Sequence, residues 1–115
     1  MKQLKTVDIK GKAYVTVSER IKYFRKNFTG YSMTSEITHI NDNGVIIKTV
    51  IKNDAGLEVS SGHAHEKQNS TFINKTSFIE NCETSSWGRC LANFGIGVDA
   101  NVASADEVAN AIKNQ

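Results

Sequence analysis

The chain has 115 residues and a mass of 12.7 kDa; 39% of its residues are hydrophobic and 23% are charged. These values fit one domain spanning residues 1–115, and no apolar run approaches the roughly 18–20 residues that a membrane-spanning helix needs. The formal net charge of +2 is unevenly distributed: residues 1–26 carry eight basic and two acidic side chains, whereas residues 27–115 carry six basic and ten acidic ones. This asymmetry favours a polyanionic partner, and a solvated N-terminus is the alternative.

The first predicted elements are a short strand and a basic helix. Residues 13–17 are β-branched and aromatic, which is typical of a strand. Ser18 is the expected N-cap and Glu19 the first-turn acid of a helix over 19–28. One apolar stripe follows at helical spacing: Ile21, Phe24 and Phe28. Basic side chains surround the stripe, and we expect them to be exposed and to neutralise phosphates without sequence preference: Arg20, Lys22, Arg25 and Lys26.

Three strands are predicted next, over residues 31–40, 45–52 and 57–66. Each connector ends in a glycine, as in a three-residue hairpin loop whose last residue is left-handed. This loop type pairs His39 with Val45 and Ile51 with Leu57. It therefore places the odd-numbered apolar residues on one inward face of an antiparallel meander.

A polar loop and two helices complete the chain. The loop covers 67–77, and a helix over 78–94 ends at Gly95, a favourable C-cap. Ser104 and Glu107 form a capping box that begins a terminal helix. The predicted fold is α+β, an antiparallel β-meander packed by helices in the order β-α-β-β-β-α-α.

Arg89 has two interpretations that the sequence leaves open. It can pair with an internal carboxylate such as Glu83, or it can contact phosphates together with Asn74 and Lys75 of the preceding loop. Phe72, in the same polar loop, is the aromatic residue best placed to stack on a base.

The cysteines and histidines are interpreted as structural. Cys82 and Cys90 are eight residues apart in one helix, about 12 Å, which is too far for a disulfide. We expect buried, inert thiols in a reducing cytoplasm, and no secretory signal is visible. His63 and His65 point to one face of a regular strand, but no further ligands complete a metal site.

The most distinctive pattern is ETSSWGRCL at residues 83–91, followed by FGI at 94–96 and ASADE at 103–107. It resembles the signature helix and the following capped helix of phage single-strand annealing proteins of the ERF and Sak-type families. The resemblance implies binding of single-stranded DNA, strand annealing during phage recombination, and homo-oligomers in the form of rings or filaments.

The sequence therefore predicts a cytoplasmic, non-enzymatic protein without cofactors or membrane partners that binds single-stranded DNA and assists annealing. Phosphate-loop and nucleophile-elbow motifs are absent from the sequence. The alternative is an oligomeric protein that binds a small molecule, nucleotide or metal through His63 and His65. The predicted nucleic-acid-binding residues are Arg20, Lys22, Arg25, Lys26, Phe72, Asn74, Lys75 and Arg89.

Overall fold

The computed structural model describes residues 4–68, 72–99 and 101–113, and for residues 72–76 and 113 it describes the backbone alone. The chain is an α+β fold with a two-stranded and a three-stranded antiparallel sheet. The elements are β1 (Val7–Ile9), β2 (Lys12–Tyr14), α1 (Val17–Asn27), β3 (Ser32–Asn41), β4 (Gly44–Lys52), β5 (Glu58–Lys67), α2 (Phe72–Phe94) and α3 (Ala105–Lys113). The predicted fold class and element order are confirmed, with one additional strand because a hairpin replaces the predicted strand over 13–17.

Helix α1 begins earlier than predicted. Its N-cap is Thr16, whose Oγ1 accepts a hydrogen bond from the backbone N–H of Glu19 at 3.2 Å. Ser18 lies inside the first turn and is exposed, so its predicted role as N-cap is wrong. At the other end the N–H of Phe28 donates to the carbonyl of Phe24.

In the β3–β4 hairpin the strands pair odd-numbered with odd-numbered residues up to Ile37, as predicted, but the turn differs from the prediction. Asn41 pairs with Gly44 across a two-residue turn, so the predicted pairing of His39 with Val45 is wrong. The extra residue is Thr38, in a bulge between Ile37 and His39. Beyond this bulge Ile37 pairs with Ile47, odd opposite odd as predicted. A side chain at Gly44 would lie 2.6 Å from the carbonyl oxygen of Glu66, so crowding by β5 explains this glycine.

The β4–β5 register differs from the prediction throughout. Ile51 pairs with Ser60 rather than with Leu57, although Gly56 does adopt the expected positive φ of 80°. Leu57 and Val59 are 64% and 44% exposed. Small side chains take their place on the face toward α2, because the helix lies close to the strand: Ser60, Gly62 and Ala64.

Helix α2 packs on β4 and β5 and ends where predicted. The backbone at Ser77 is non-helical (φ −141°, ψ 30°), so the predicted helix over 78–94 corresponds to the part after this kink. Gly95 follows its last residue with φ +110°, which confirms the predicted C-cap. The buried core residues form two clusters, one around Phe24, Ile51, Cys90, Leu91 and Ile96 and the other around Val45, Ile47 and Cys82.

Helix α3 ties the C-terminal segment to the residues before α1. Its predicted cap is confirmed, because Ser104 Oγ accepts from the N–H of Glu107 at 3.1 Å. Asn101 Nδ2 donates to the carbonyl of Ala13, and the N–H of Ala105 donates to the carbonyl of Val15, both at 2.9 Å. We call this region, residues 13–17 with 101–106, the terminal junction. No helix in the described ranges is long and apolar enough to cross a membrane.

Candidate nucleic-acid interface

Three of the four predicted cations of α1 form an exposed surface, here called the α1 basic patch: Lys22, Arg25 and Lys26. Lys22 is three and four residues before the other two, so all three lie on one side of the helix. Arg25 also lies over the ring of Phe24, with its guanidinium carbon 5.4 Å from the ring centroid. Arg25 and Lys26 occupy the last turn, where positive charge complements the helix dipole.

Arg20 is not part of this patch, and the expectation that it is exposed is wrong. Its side chain is fully buried; Nη1 donates to the carbonyl of Gly88 at 3.0 Å and Nη2 to that of Asn101 at 2.8 Å. Burial lowers the pKa of Arg20, and the nearby carboxylates of Glu107 and Asp106 act in the opposite direction. The sequence does contain an indication that Arg20 is buried, because Arg20 lies four residues before Phe24 and therefore on the same side of the helix as the apolar stripe.

Arg89 forms an internal ion pair, but not with the residue proposed from the sequence. Its Nη2 lies 3.0 Å from Glu107 Oε2 of α3, and its side chain is 49% exposed. Glu83 instead accepts a hydrogen bond of 2.5 Å from Ser35 Oγ of β3. The pairing of Arg89 with Glu83 is therefore wrong.

A second polar surface lies where the β3–β4 turn meets the end of β5. It is an open groove of about 690 Å³, and the described residues that line it include no acidic side chain. The turn is fixed by Asn41, whose Oδ1 accepts from the N–H groups of Asn43 and Gly44. We call it the sheet-end groove, lined by His39, Asn41, Asn43, Gly44, Ile46, His65 and Lys67.

The two surfaces lie toward opposite ends of α2. The first turns of α2 follow the end of β5 in the chain. At that end the N–H of Gln68 donates to the carbonyl of Asn43, which lines the sheet-end groove. The α1 basic patch belongs to the helix that packs against Gly88 and Phe94, in the second half of α2. The kink at Ser77 separates these first turns from the rest of the helix. Phe72, Asn74 and Lys75 lie in these first turns, and their side chains are outside the described part of the structure.

The two histidines of β5 lie on the same face of the strand, as expected. His63 pairs with Lys48 and His65 with Ile46, without a bulge at Gly62. Both also line an open cavity of about 340 Å³ between β5, α2 and α3, together with Arg89 and Glu107. Among the described residues, no group of three or more His, Cys, Asp or Glu side chains has an arrangement that could hold a metal ion.

Most aromatic rings pack inside the fold. Six of the nine aromatic residues belong to the two hydrophobic clusters or pack against them: Tyr23, Phe24, Phe28, Tyr31, Phe78 and Phe94. Phe94 and Phe28 each contact three other rings, and those of Phe94 have centroid distances of 4.9–6.0 Å. These six rings stabilise the core and are not arranged as an exposed platform for bases.

The cysteines are free and buried, as predicted. Burial raises the pKa of Cys82 to about 11 and also raises the pKa of Cys90. Cys82 Sγ donates to the carbonyl of Ala64 at 3.2 Å. The thiols are therefore protonated at neutral pH and are poor nucleophiles.

One family model matches the chain, over residues 21–94, and its description is Slr1353 N-terminal dsRNA-binding domain-like. The match covers more than half of the chain, from within α1 to the end of α2. No curated protein and no solved structure gives a significant match. The proposed relationship to ERF and Sak-type annealing proteins is wrong, because the matching family is a different one.

Packing explains the small residues of the motif that suggested that relationship. A side chain at Gly88 would lie 2.9 Å from a methyl group of Val17, at the contact between α1 and α2. Ser86 is fully buried and bonds Thr49 of β4. The small residues of the motif thus lie where α2 packs against α1 and against the sheet.

Proposed function

Because the chain belongs to the Slr1353 N-terminal dsRNA-binding domain-like family, we propose that it binds double-stranded RNA through the phosphate backbone. The observation that carries the proposal is the α1 basic patch. Its three cations are exposed on one side of a helix that lies within the matched region. Each can neutralise a phosphate and release counterions, which provides affinity without base sequence preference.

The spacing of the two polar surfaces supports a duplex ligand. Double-stranded-RNA-binding domains contact successive minor grooves and the intervening phosphates of a helix, over about 16 base pairs, and recognise shape more than sequence. The α1 basic patch and the sheet-end groove lie toward opposite ends of α2, so one duplex could engage both surfaces at different grooves. Lys67 contributes a positive charge to the lining of the groove, and a phosphate of the duplex could approach it.

Single-stranded DNA is the alternative ligand, because the α1 basic patch would also neutralise its phosphates. Proteins that hold single strands commonly stack bases on exposed aromatic rings. Here six of the nine aromatic residues pack in or against the core clusters, which supports a duplex instead. The raised pKa values of both thiols support a binding role over nucleophilic catalysis.

Self-association is proposed through the exposed edge of β3. Within the described ranges β3 pairs only with β4, and its apolar residues Ile37 and Ile40 are 48% and 50% exposed. An unpaired strand edge beside exposed apolar side chains is a template for pairing with another strand. A second copy of the chain would bury both isoleucines.

The function is tested by fluorescence titration with double-stranded RNA, double-stranded DNA and single-stranded DNA of equal length, each at several salt concentrations. We expect the tightest binding for double-stranded RNA. The triple variant Lys22→Ala, Arg25→Ala, Lys26→Ala should bind at least about tenfold more weakly. Its salt dependence should also be shallower, with a log–log slope reduced by up to about 0.9 for each phosphate that is no longer neutralised.

The matched control is Lys5→Ala, Lys10→Ala, Lys12→Ala. It removes the same charge from exposed positions outside the matched residues and should bind RNA within about twofold of wild type. Equal losses in both triple variants would indicate a general charge effect and contradict a defined interface. Tighter binding of single-stranded DNA by the wild type would contradict the duplex and support the alternative.

A further inference from the structure

The N-terminal end of α1 is capped by a carboxylate from the other end of the chain. Asp106 Oδ1 accepts a hydrogen bond of 2.8 Å from the backbone N–H of Val17, the first residue of α1. This N–H belongs to the first turn, whose donors have no partner within the helix. The negative charge also complements the positive end of the helix dipole. The start of α1 is therefore held by α3 as well as by Thr16.

Arg20 makes a second attachment at the same end of α1. Its guanidinium joins α1 to the carbonyl of Gly88 in α2 and to that of Asn101 in the C-terminal segment. The side chain has little room to move, because a Cβ at Gly97 would already lie 3.0 Å from Arg20 Nε. The orientation of α1 on α2 thus depends on the C-terminal segment.

Helix α3 is itself fixed to the body of the fold. Glu107 pairs with Arg89 of α2, and the N–H of Ala105 bonds the carbonyl of Val15. Asp106 lies between these two attached residues, so its carboxylate cannot shift far without breaking them. Through Asp106, the start of α1 is therefore held at a fixed position relative to α2.

We propose that Asp106 is a positioning residue for nucleic-acid binding, which sets the orientation of α1 and thereby the spacing between the α1 basic patch and the sheet-end groove. This inference rests on the proposed function. Asp106 and Arg20 both lie outside the matched residues 21–94, so this control of spacing is a property of the flanking segments of this chain.

The consequence is a requirement on duplex length. A duplex long enough to reach both surfaces binds well only when their spacing matches its grooves. A short duplex that occupies one surface has no such requirement. Loss of the cap should therefore weaken binding of a long duplex and leave binding of a short one nearly unchanged.

The test compares RNA duplexes of about 20 and about 8 base pairs, the first longer and the second shorter than the span of such domains. The variants are Asp106→Ala, which removes the acceptor, and Asp106→Asn, which retains an acceptor oxygen. Asp99→Ala is the matched control, because Asp99 is an exposed acid of the same C-terminal region. Circular dichroism at low temperature verifies that each full-length variant is folded.

We expect Asp106→Ala to weaken binding of the long duplex about fivefold or more and binding of the short duplex less than about twofold. Asp106→Asn should restore most of the loss, and Asp99→Ala should match wild type. Equal losses on both duplexes, or no loss on either, would overturn the inference. A wild type that does not bind the long duplex more tightly than the short one would instead contradict the proposed two-surface binding itself.

Discussion

Thr49 of β4 and Ser86 of α2 share a hydrogen bond of 2.6 Å between their side-chain oxygens at the centre of the core. Ser86 Oγ also donates to the carbonyl of Glu83 at 2.8 Å, so Thr49 is the donor in the shared bond. Both residues are fully buried. The pair lies between the two hydrophobic clusters and fixes the position of α2 along β4.

Replacing Ser86 should cost more stability than replacing Thr49. Ser86→Ala leaves the Thr49 hydroxyl buried without an acceptor, at a cost of about 1–3 kcal/mol. Thr49→Val exchanges the hydroxyl for a methyl group and leaves Ser86 its bond to Glu83, so the cost should be about 0.5–1.5 kcal/mol. Urea unfolding measures both values, and the reverse order would contradict the assignment of Thr49 as donor.

The two arginines that were candidates for DNA contact should differ in their contributions to stability. Arg20→Ala leaves two carbonyl groups without their donor and opens a cavity, so we expect a loss of about 3 kcal/mol or more. Arg89→Ala removes a half-exposed ion pair and should cost about 0.2–1 kcal/mol. Thermal and urea unfolding of both variants provide the comparison. A larger loss for Arg89→Ala would show that α3 depends mainly on this ion pair.

Stability should decline in alkaline solution because of the buried thiols. The pKa of Cys82 is about 11 in the folded chain, whereas an exposed cysteine has a pKa of about 8.5. The folded state binds the thiol proton of Cys82 more tightly than the unfolded state does. The contribution of this proton to the free energy of unfolding is therefore complete below about pH 8.5 and is lost as the pH rises toward 11. Unfolding free energies across this range should fall less steeply for Cys82→Ala than for wild type. Parallel curves would exclude Cys82 as the cause.

The contact between β5 and α2 should not tolerate a side chain at Gly62. The added Cβ would lie 2.5 Å from the backbone nitrogen of Cys90, and backbone atoms cannot yield as a flexible side chain can. Gly62→Ala should therefore cost about 1–3 kcal/mol or prevent folding. Ser61→Ala, next to it on the opposite face of β5, should change stability by less than about 0.5 kcal/mol. Similar values for both would mean that α2 can move away from the strand.

If the chain self-associates through β3, a charged residue in place of Ile37 should weaken the association. Wild-type protein should sediment at micromolar concentration as a species larger than 12.7 kDa. Ile37→Lys places a charge on the exposed edge and should shift the protein toward the monomer while leaving its circular dichroism unchanged. Glu36→Lys, which changes the opposite face of the same strand, is the control. A wild type that is monomeric at high concentration would contradict the proposal.

The element order could be predicted from the sequence because it depends on local patterns. The apolar spacing that includes Phe24 and Phe28 indicates a helix, Gly95 marks a helix end, and Ser104 with Glu107 marks a helix start. Each of these signals involves residues within one or two turns of each other. They do not require knowledge of what the element packs against.

The strand registers and the buried arginine could not be predicted in the same way. The β3–β4 register depends on a bulge at Thr38 that no turn residue indicates, and the β4–β5 register depends on how closely α2 approaches Gly62. The charge of Arg20 favours a surface position, although its helical position is that of a core residue. Its partners, the carbonyls of Gly88 and Asn101, are 68 and 81 residues away in sequence.

The terminal junction also determines when folding can finish during synthesis. The bond from Asn101 to Ala13 spans 88 residues and that from Val17 to Asp106 spans 89. A ribosome makes the N-terminal partners first, so α1 remains without its distant cap, and Arg20 without one of its two acceptors, until residues 101–106 have emerged. Chains truncated before residue 101 would therefore leave Arg20 without the Asn101 carbonyl and Val17 without the Asp106 carboxylate. Such truncated chains should be preferred targets of quality-control proteases.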